Sequence, residues 1–217
     1  MKYIFLDFGN VICYPTTGEW FVTPYFDNYL KTHHINKDDI LKHLFDYREI
    51  LDRKYNTLEE EVIMYYDLYK SVFNLLGYNI SEEDILYIAR DITYSTDKYQ
   101  LFDHINEELE ELKNKYELIL LTDNWPCGER LMKIWNLDKY FLKMYISSYY
   151  GIKKDNIEFF KIPMDEYNID HSDITFVDDS DIPLETATSM GIKALKMDRF
   201  NQVKSDKYPV INNLFNI

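Results

Sequence analysis

The chain has 217 residues, 24 Lys and Arg against 38 Asp and Glu, a formal charge of −14, and a composition that is 46% hydrophobic and 17% aromatic. The length suits one domain, or a core domain with a modest insertion, and excludes an array of domains; the hydrophobic share excludes wholesale disorder. The acid excess argues against nucleic acid, which is gripped through phosphates by a basic face, but not against a small anion held through a metal.

The first apolar run, Tyr3 to Leu6, is broken by Asp7 after four residues, too soon for the h-region of a signal peptide. No run of about 18 apolar residues offers a membrane span. Cys13 and Cys127 show no spacing of a disulfide framework or zinc site. These features together predict a cytoplasmic protein.

Residues 16–98 hold 16 acidic and 9 basic side chains and read as helices without buried strands. Apolar residues recur at helical spacing in Ile40, Leu41, Leu44 and Phe45, in Leu58, Val62, Tyr65, Tyr66 and Tyr69, and in Ile85, Ile88 and Ala89. Ser81 with Asp84 begins the last of these like a capping box. From residue 99 onward helix and strand alternate. Leu101, Phe102, Ile105, Leu109 and Leu112 predict a helix with its acidic residues on the opposite, solvated face. Short apolar runs follow at Leu118 to Leu121, Met144 to Ile146, Ile174 to Val177 and Ile192 to Met197, the pattern of parallel strands buried on both faces. Pro126 is placed to start a helix and Gly191 to end one. Residues 199–217 are only weakly patterned. The whole predicts a doubly wound α/β parallel sheet, Rossmann-like, interrupted after its first strand by an all-helical block.

Ligands of such sheets bind beyond the carboxyl ends of the strands. The residues there are Asp7, Thr122-Asp123-Asn124, Ser147-Ser148 and Asp178-Asp179. Carboxylates converging from separate strands repel unless a cation lies between them, and hard oxygen donors favour Mg²⁺. The Thr122 hydroxyl and a lysine of the Gly151-Ile152-Lys153-Lys154 loop are then suited to holding an anion.

These residues resemble the motifs of the haloacid dehalogenase superfamily. The four stand in order: Asp7-Phe8-Gly9-Asn10-Val11, Thr122, Gly151-x-x-Lys154 and Phe176-Val177-Asp178-Asp179. The resemblance implies a core domain of residues 1–15 and 99–217 and a helical cap of the C1 type at 16–98, hinged near Tyr14 to Thr17 and Thr96 to Tyr99. It implies hydrolysis of a small phosphomonoester, plausibly a sugar phosphate, with Asp7 as nucleophile and an aspartyl-phosphate intermediate. Mg²⁺ is then held by Asp7, the Gly9 carbonyl, Asp178 and Asp179. Phosphate is held by Thr122, by the main-chain N–H groups of Asp123 and Asn124, and by Lys154, which the Gly-x-x-Lys spacing selects over Lys153.

Gly9 departs from the pattern, since phosphatases of the family carry there the Asp that protonates the leaving oxygen. The Asp-x-Gly-Asn-Val form is similar to the subgroup of bacterial α-D-glucose-1-phosphate phosphatase, whose anomeric leaving group is undemanding. Two alternatives follow: a weak or inactive module that binds a ligand or protein, and a 2-haloacid dehalogenase, which the adjacent pair Asp178-Asp179 disfavours. Asp155 stands where a proline often follows the lysine, and Pro163 is expected to shorten or bend a helix. Tyr25, Tyr29, Tyr65, Tyr66 and Tyr69 are expected to pack, His33 and His34 to lie exposed, and both cysteines to be buried as small hydrophobes.

Overall fold

A computed structural model describes residues 2–202 and 207–217. In chain order it runs β1 (Tyr3–Leu6), β2 (Cys13–Pro15), α1 (Pro24–Thr32), α2 (Lys37–Leu44), α3 (Arg48–Leu51), α4 (Leu58–Leu75) and α5 (Glu82–Tyr94). There follow β3 (Tyr99–Leu101), α6 (Ile105–Lys113), β4 (Glu117–Thr122), α7 (Pro126–Ile134), β5 (Phe141–Ile146) and α8 (Ser147–Tyr150). The chain ends with α9 (Ile157–Tyr167), β6 (Ile174–Asp178), α10 (Asp181–Ser189), β7 (Lys193–Met197) and β8 (Val210–Ile211). It divides into two compact units, residues 1–14 with 101–217 and residues 15–100.

The helical unit is built on α4. Thr57 and Glu60 close a complete capping box at its start, so two backbone donors are satisfied where the helix begins. Its inner stripe, Met64, Tyr65, Leu68, Tyr69, Val72 and Phe73, is almost wholly buried. Phe26 packs on Tyr69 edge to face with ring centroids 4.9 Å apart. At α5 the box is half made: Ser81 accepts from the Asp84 N–H, but the shorter Asp84 side chain takes the Ser81 hydroxyl instead of reaching the Ser81 N–H. Tyr29, Tyr65 and Tyr69 are buried as packing residues, Tyr66 is half-buried, and His33 and His34 are exposed.

In the other unit, six parallel strands form a sheet in the order β5-β4-β1-β6-β7-β8 among the described residues. This is the doubly wound α/β sheet. Phe5, Ile119, Leu121, Tyr145, Phe159, Phe160 and Phe176 form one core, with the apolar strands covered by helices. Each such side chain contributes about 1.5–3 kcal/mol by leaving water. Pro126 starts α7 at its first turn, where a missing N–H costs nothing. Gly191, at φ +81°, follows α10, and a Cβ there would stand 2.8 Å from the His171 ring.

Three expectations are corrected. Glu108 lies on the buried face of α6, not with the solvated acids, because a buried cation meets it there. Pro163 sits inside α9 without ending it; the helix continues to Tyr167. The weakly patterned tail supplies an edge strand, β8, paired with β7, and a fully buried Leu214.

Strand order also locates a crevice. The connection from β1 leads toward β4 and that from β6 toward β7, on opposite sides, so the loops part between β1 and β6. Such a switch point is where an open α/β sheet binds its ligand.

Candidate active site

Asp7 follows β1 and Asp178 ends β6, one on each side of that crevice. The register Leu6↔Val177 sets them side by side, with the Asp7 N–H donating to the Val177 carbonyl at 3.0 Å. Asp178 is 1% and Asp7 7% exposed. Asp179 is half-buried, and one carboxylate oxygen from each of the three acids lies within 4.8 Å of the others.

Lys154 reaches this group from the loop between α8 and α9. Its buried ammonium stands 2.6 Å from Asp7 Oδ1 and 2.5 Å from Asp178 Oδ2. The loop is fixed by its own backbone, since the Lys154 N–H donates to Asp123 Oδ1 at 3.0 Å. Lys153 is half-buried beside it, so the Gly-x-x-Lys spacing selects the lysine that meets the acids. The Asp123 side chain thus has a use, anchoring that loop, which the sequence does not suggest.

Three carboxylates cluster here, and the Lys154 ammonium pairs with two of them. Two like charges about 4 Å apart repel by about 4 kcal/mol at an effective dielectric of 20. Burial, with the Asp7 charge adding to it against the pull of Lys154, pushes the Asp178 carboxyl up to about 8. Burial and Asp7 raise Asp179 as well, opposed by its hydrogen bond from Asn10. Burial works against the Lys154 charge, yet Asp178, Asp7 and Asp123 together outweigh it and hold the ammonium firmly protonated. An excess of hard, buried oxygen donors over positive charge fits a divalent cation such as Mg²⁺.

The first loop shapes the rest. Asn10 adopts φ +52°, a left-handed conformation that asparagine tolerates, and its Nδ2 donates to Asp179 Oδ2 at 2.8 Å. Gly9 contributes a carbonyl and no side chain. Thr122, at the end of β4, is 2% exposed.

Asn124 differs from its expected role. Its N–H, expected to meet phosphate, donates to Ser147 Oγ at 3.1 Å, and its carbonyl accepts from the Ser148 N–H at 3.2 Å. Asn124 therefore ties the end of β4 to α8. Both cysteines are buried, as expected, and Trp125 is half-buried. Among the described residues, no helix is long and apolar enough to cross a membrane.

Sequence reasoning missed three contributors in this unit: Asn10, Glu108 and Arg199. Only Asn10 carried a signal, a side chain able to donate at a position whose turn demands positive φ.

Comparison with known proteins bears on the family and the fold. The family model for haloacid dehalogenase-like hydrolases matches residues 26–197, a span that begins after Asp7. No curated protein matches. Among solved structures, the HAD-hydrolase YfnB from Bacillus subtilis, bound to magnesium, is 15% identical, with 99% of this chain and 96% of that one covered at a TM-score of 0.68. A HAD phosphatase from Thermococcus onnurineus is 20% identical, covering 100% and 95% at 0.65. The 2-haloacid dehalogenase from Pseudomonas syringae pv. Tomato is 15% identical, covering 99% and 95% at 0.67. At these identities the likeness is one of fold, shared by a phosphatase and a dehalogenase alike. The family match spans most of the chain, and with it the protein belongs to the haloacid dehalogenase-like hydrolases.

Proposed function

We propose that the protein is a Mg²⁺-dependent phosphatase that hydrolyses a small phosphorylated metabolite, plausibly a sugar phosphate, through an aspartyl phosphate on Asp7. The observation that carries this reading is the trio Asp7, Asp178 and Asp179 with Lys154 as its one close cation among the described residues. A dehalogenase needs the aspartate nucleophile but no metal, and in such a site Asp179 would add repulsion without a task.

Asp7, the Gly9 carbonyl, Asp178 and Asp179 would hold Mg²⁺, which when bound neutralises charge on the phosphoryl oxygens. An Asp7 oxygen attacks phosphorus in line as the bond to the leaving oxygen breaks; water then cleaves the aspartyl phosphate, returning Asp7 and inorganic phosphate. Lys154 keeps Asp7 oriented and pairs with a phosphoryl oxygen. Thr122 and the Asp123 N–H donate to the others, while the Asn124 N–H is available only if Ser147 releases it. The leaving oxygen takes its proton from solvent, because Gly9 supplies none. Positioned acid–base help is worth about 10²–10⁴ in rate, so substrates with good leaving groups are favoured. The helical insertion, 16–98, is proposed to act as the cap and 1–15 with 99–217 as the core domain.

The test is phosphate release from p-nitrophenyl phosphate with Mg²⁺, beside halide release from 2-chloropropionate. The expected result is phosphate release alone, reduced at least about 10³-fold in Asp7→Asn. Halide release without phosphate release overturns the reading in favour of the dehalogenase. Neither product, with Mg²⁺ still bound, favours the binding module that Gly9 suggests.

A further inference from the structure

The first loop is also held by an ion pair whose members lie outside all four motifs. Arg199 follows β7, and its side chain is 5% exposed; Glu108, on α6, is 3% exposed. The guanidinium grips the carboxylate with both prongs, Nη1 to Oε1 at 2.8 Å and Nη2 to Oε2 at 2.6 Å. Two further N–H groups converge on one atom: Nε and Nη2 both donate to the Val11 carbonyl, at 3.1 and 2.8 Å. The Phe102 ring lies under the guanidinium at 5.0 Å.

A buried pair of this kind is a poor device for stability alone, because apolar residues of similar volume often do as well or better. What apolar residues cannot supply is a directed hold on a carbonyl oxygen. The carbonyl held is a telling one. Val11 follows Asn10, which donates to Asp179, and lies two residues from Gly9 and four from Asp7. The loop is a tight turn, with the Ile12 and Cys13 N–H groups donating to the Phe8 carbonyl at 2.9 and 3.3 Å and the Asn10 N–H to the Cys13 carbonyl at 2.7 Å. The Phe102 N–H fixes the next carbonyl, Ile12, at 3.2 Å. Gripping Val11 therefore constrains the turn that aims Asp7 and Asn10 into the crevice.

We infer that Arg199, itself oriented by Glu108, is a positioning residue: it holds the Val11 carbonyl so that the Asp7–Cys13 turn keeps the conformation in which its residues and Asp179 receive a divalent cation. The inference rests on the metal-dependent reading above. Its test is arranged to separate the two.

Arg199→Met removes both grips. Arg199→Lys keeps a cation for Glu108 but loses the fork that spans carboxylate and carbonyl together, and it guards against loss of the fold. Two readouts need no turnover: amide hydrogen exchange over residues 8–14 in metal-free protein, and the affinity for Mn²⁺ followed by its electron paramagnetic resonance. In Arg199→Lys, exchange over 8–14 is expected to rise at least about tenfold while β4 and β6 stay protected, and Mn²⁺ affinity to fall about tenfold. With an aryl phosphate, kcat should fall with KM within about twofold. A melting temperature that drops with loop exchange and Mn²⁺ affinity unchanged overturns the inference and leaves the pair a staple of the core. If wild-type protein binds Mn²⁺ and releases no phosphate, the phosphatase reading fails, while exchange and affinity still decide the role of Arg199.

Discussion

Two buried ionic groups lie in the same unit and are balanced in opposite ways. At Glu108 and Arg199 one carboxylate meets one guanidinium, and four hydrogen bonds engage both carboxylate oxygens and four of the five guanidinium N–H groups. At Asp7, Asp178 and Asp179, three carboxylates cluster around one ammonium, Lys154, that pairs with the first two, among the described residues. Both groups bear the cost of desolvation, but only the first recovers it inside the chain. The second keeps a surplus of negative charge at the switch point of the sheet, a donor set that fits a divalent cation.

The largest expected effects come from neutralising one acid in each group. Glu108→Gln strands the Arg199 charge and is expected to cost about 3–5 kcal/mol, read as a lower midpoint in urea. Asp7→Asn, which removes turnover, should instead raise metal-free stability by about 0.5–2 kcal/mol, because it relieves Asp178 and Asp179 and leaves Lys154 paired with Asp178. If both changes destabilise alike, the contrast between the groups is mistaken.

The two groups were also unequally legible in the sequence. Asp7, Thr122 and Asp178 each close an apolar run, and a parallel strand buried on both faces must end where polar residues begin. Alternation of strand and helix then sends those ends to one edge. The Glu108 and Arg199 pair has no such grammar. The partners are 91 residues apart, glutamate in an acidic amphipathic helix reads as solvated, and an arginine in a loop reads as surface. The two residues of β8 are likewise too few to show a period. Asn124 shows a subtler limit: its place beyond β4 was legible, but the Ser147 hydroxyl that engages its N–H comes from a different strand end.

A smaller effect follows from pH. The Asp178 carboxyl is raised to about 8 in the fold against about 3.9 when unfolded. The protonated form is the one the metal-free fold favours, so its contribution is fully present below about pH 4 and lost as pH rises through about 8. Metal-free protein should therefore lose stability between about pH 4 and 8. Saturating Mg²⁺, which requires the ionised acid, should add a melting increment that grows over the same range. An increment that is flat or falls with pH would mean that Asp178 does not ligate the metal. The Glu108 pair should show no comparable dependence on Mg²⁺.

The smallest expected effect tests how tightly the proposed phosphate side of the site is set. Gly128 lies in the first turn of α7, and a Cβ there would stand 2.6 Å from both Cγ and Nδ2 of Asn124. Asn124 cannot retreat freely, for its Oδ1 accepts from the Trp125 N–H at 2.8 Å and its N–H donates to Ser147 Oγ. Alanine favours a helix over glycine by about 1 kcal/mol, so an unobstructed Gly128→Ala would stabilise. Here the added methyl must displace the Asn124 side chain and with it the link from β4 to α8. Gly128→Ala is expected to leave stability within about 1 kcal/mol of wild type, the helix gain offset by crowding. The displaced loop should raise KM for an aryl phosphate a few-fold while Mn²⁺ affinity holds, because the three acids lie on other strands. A gain in stability with KM unchanged would show that Asn124 moves aside without disturbing Thr122 and Asp123, and that the proposed phosphate side is far less rigidly built than the cluster of acids.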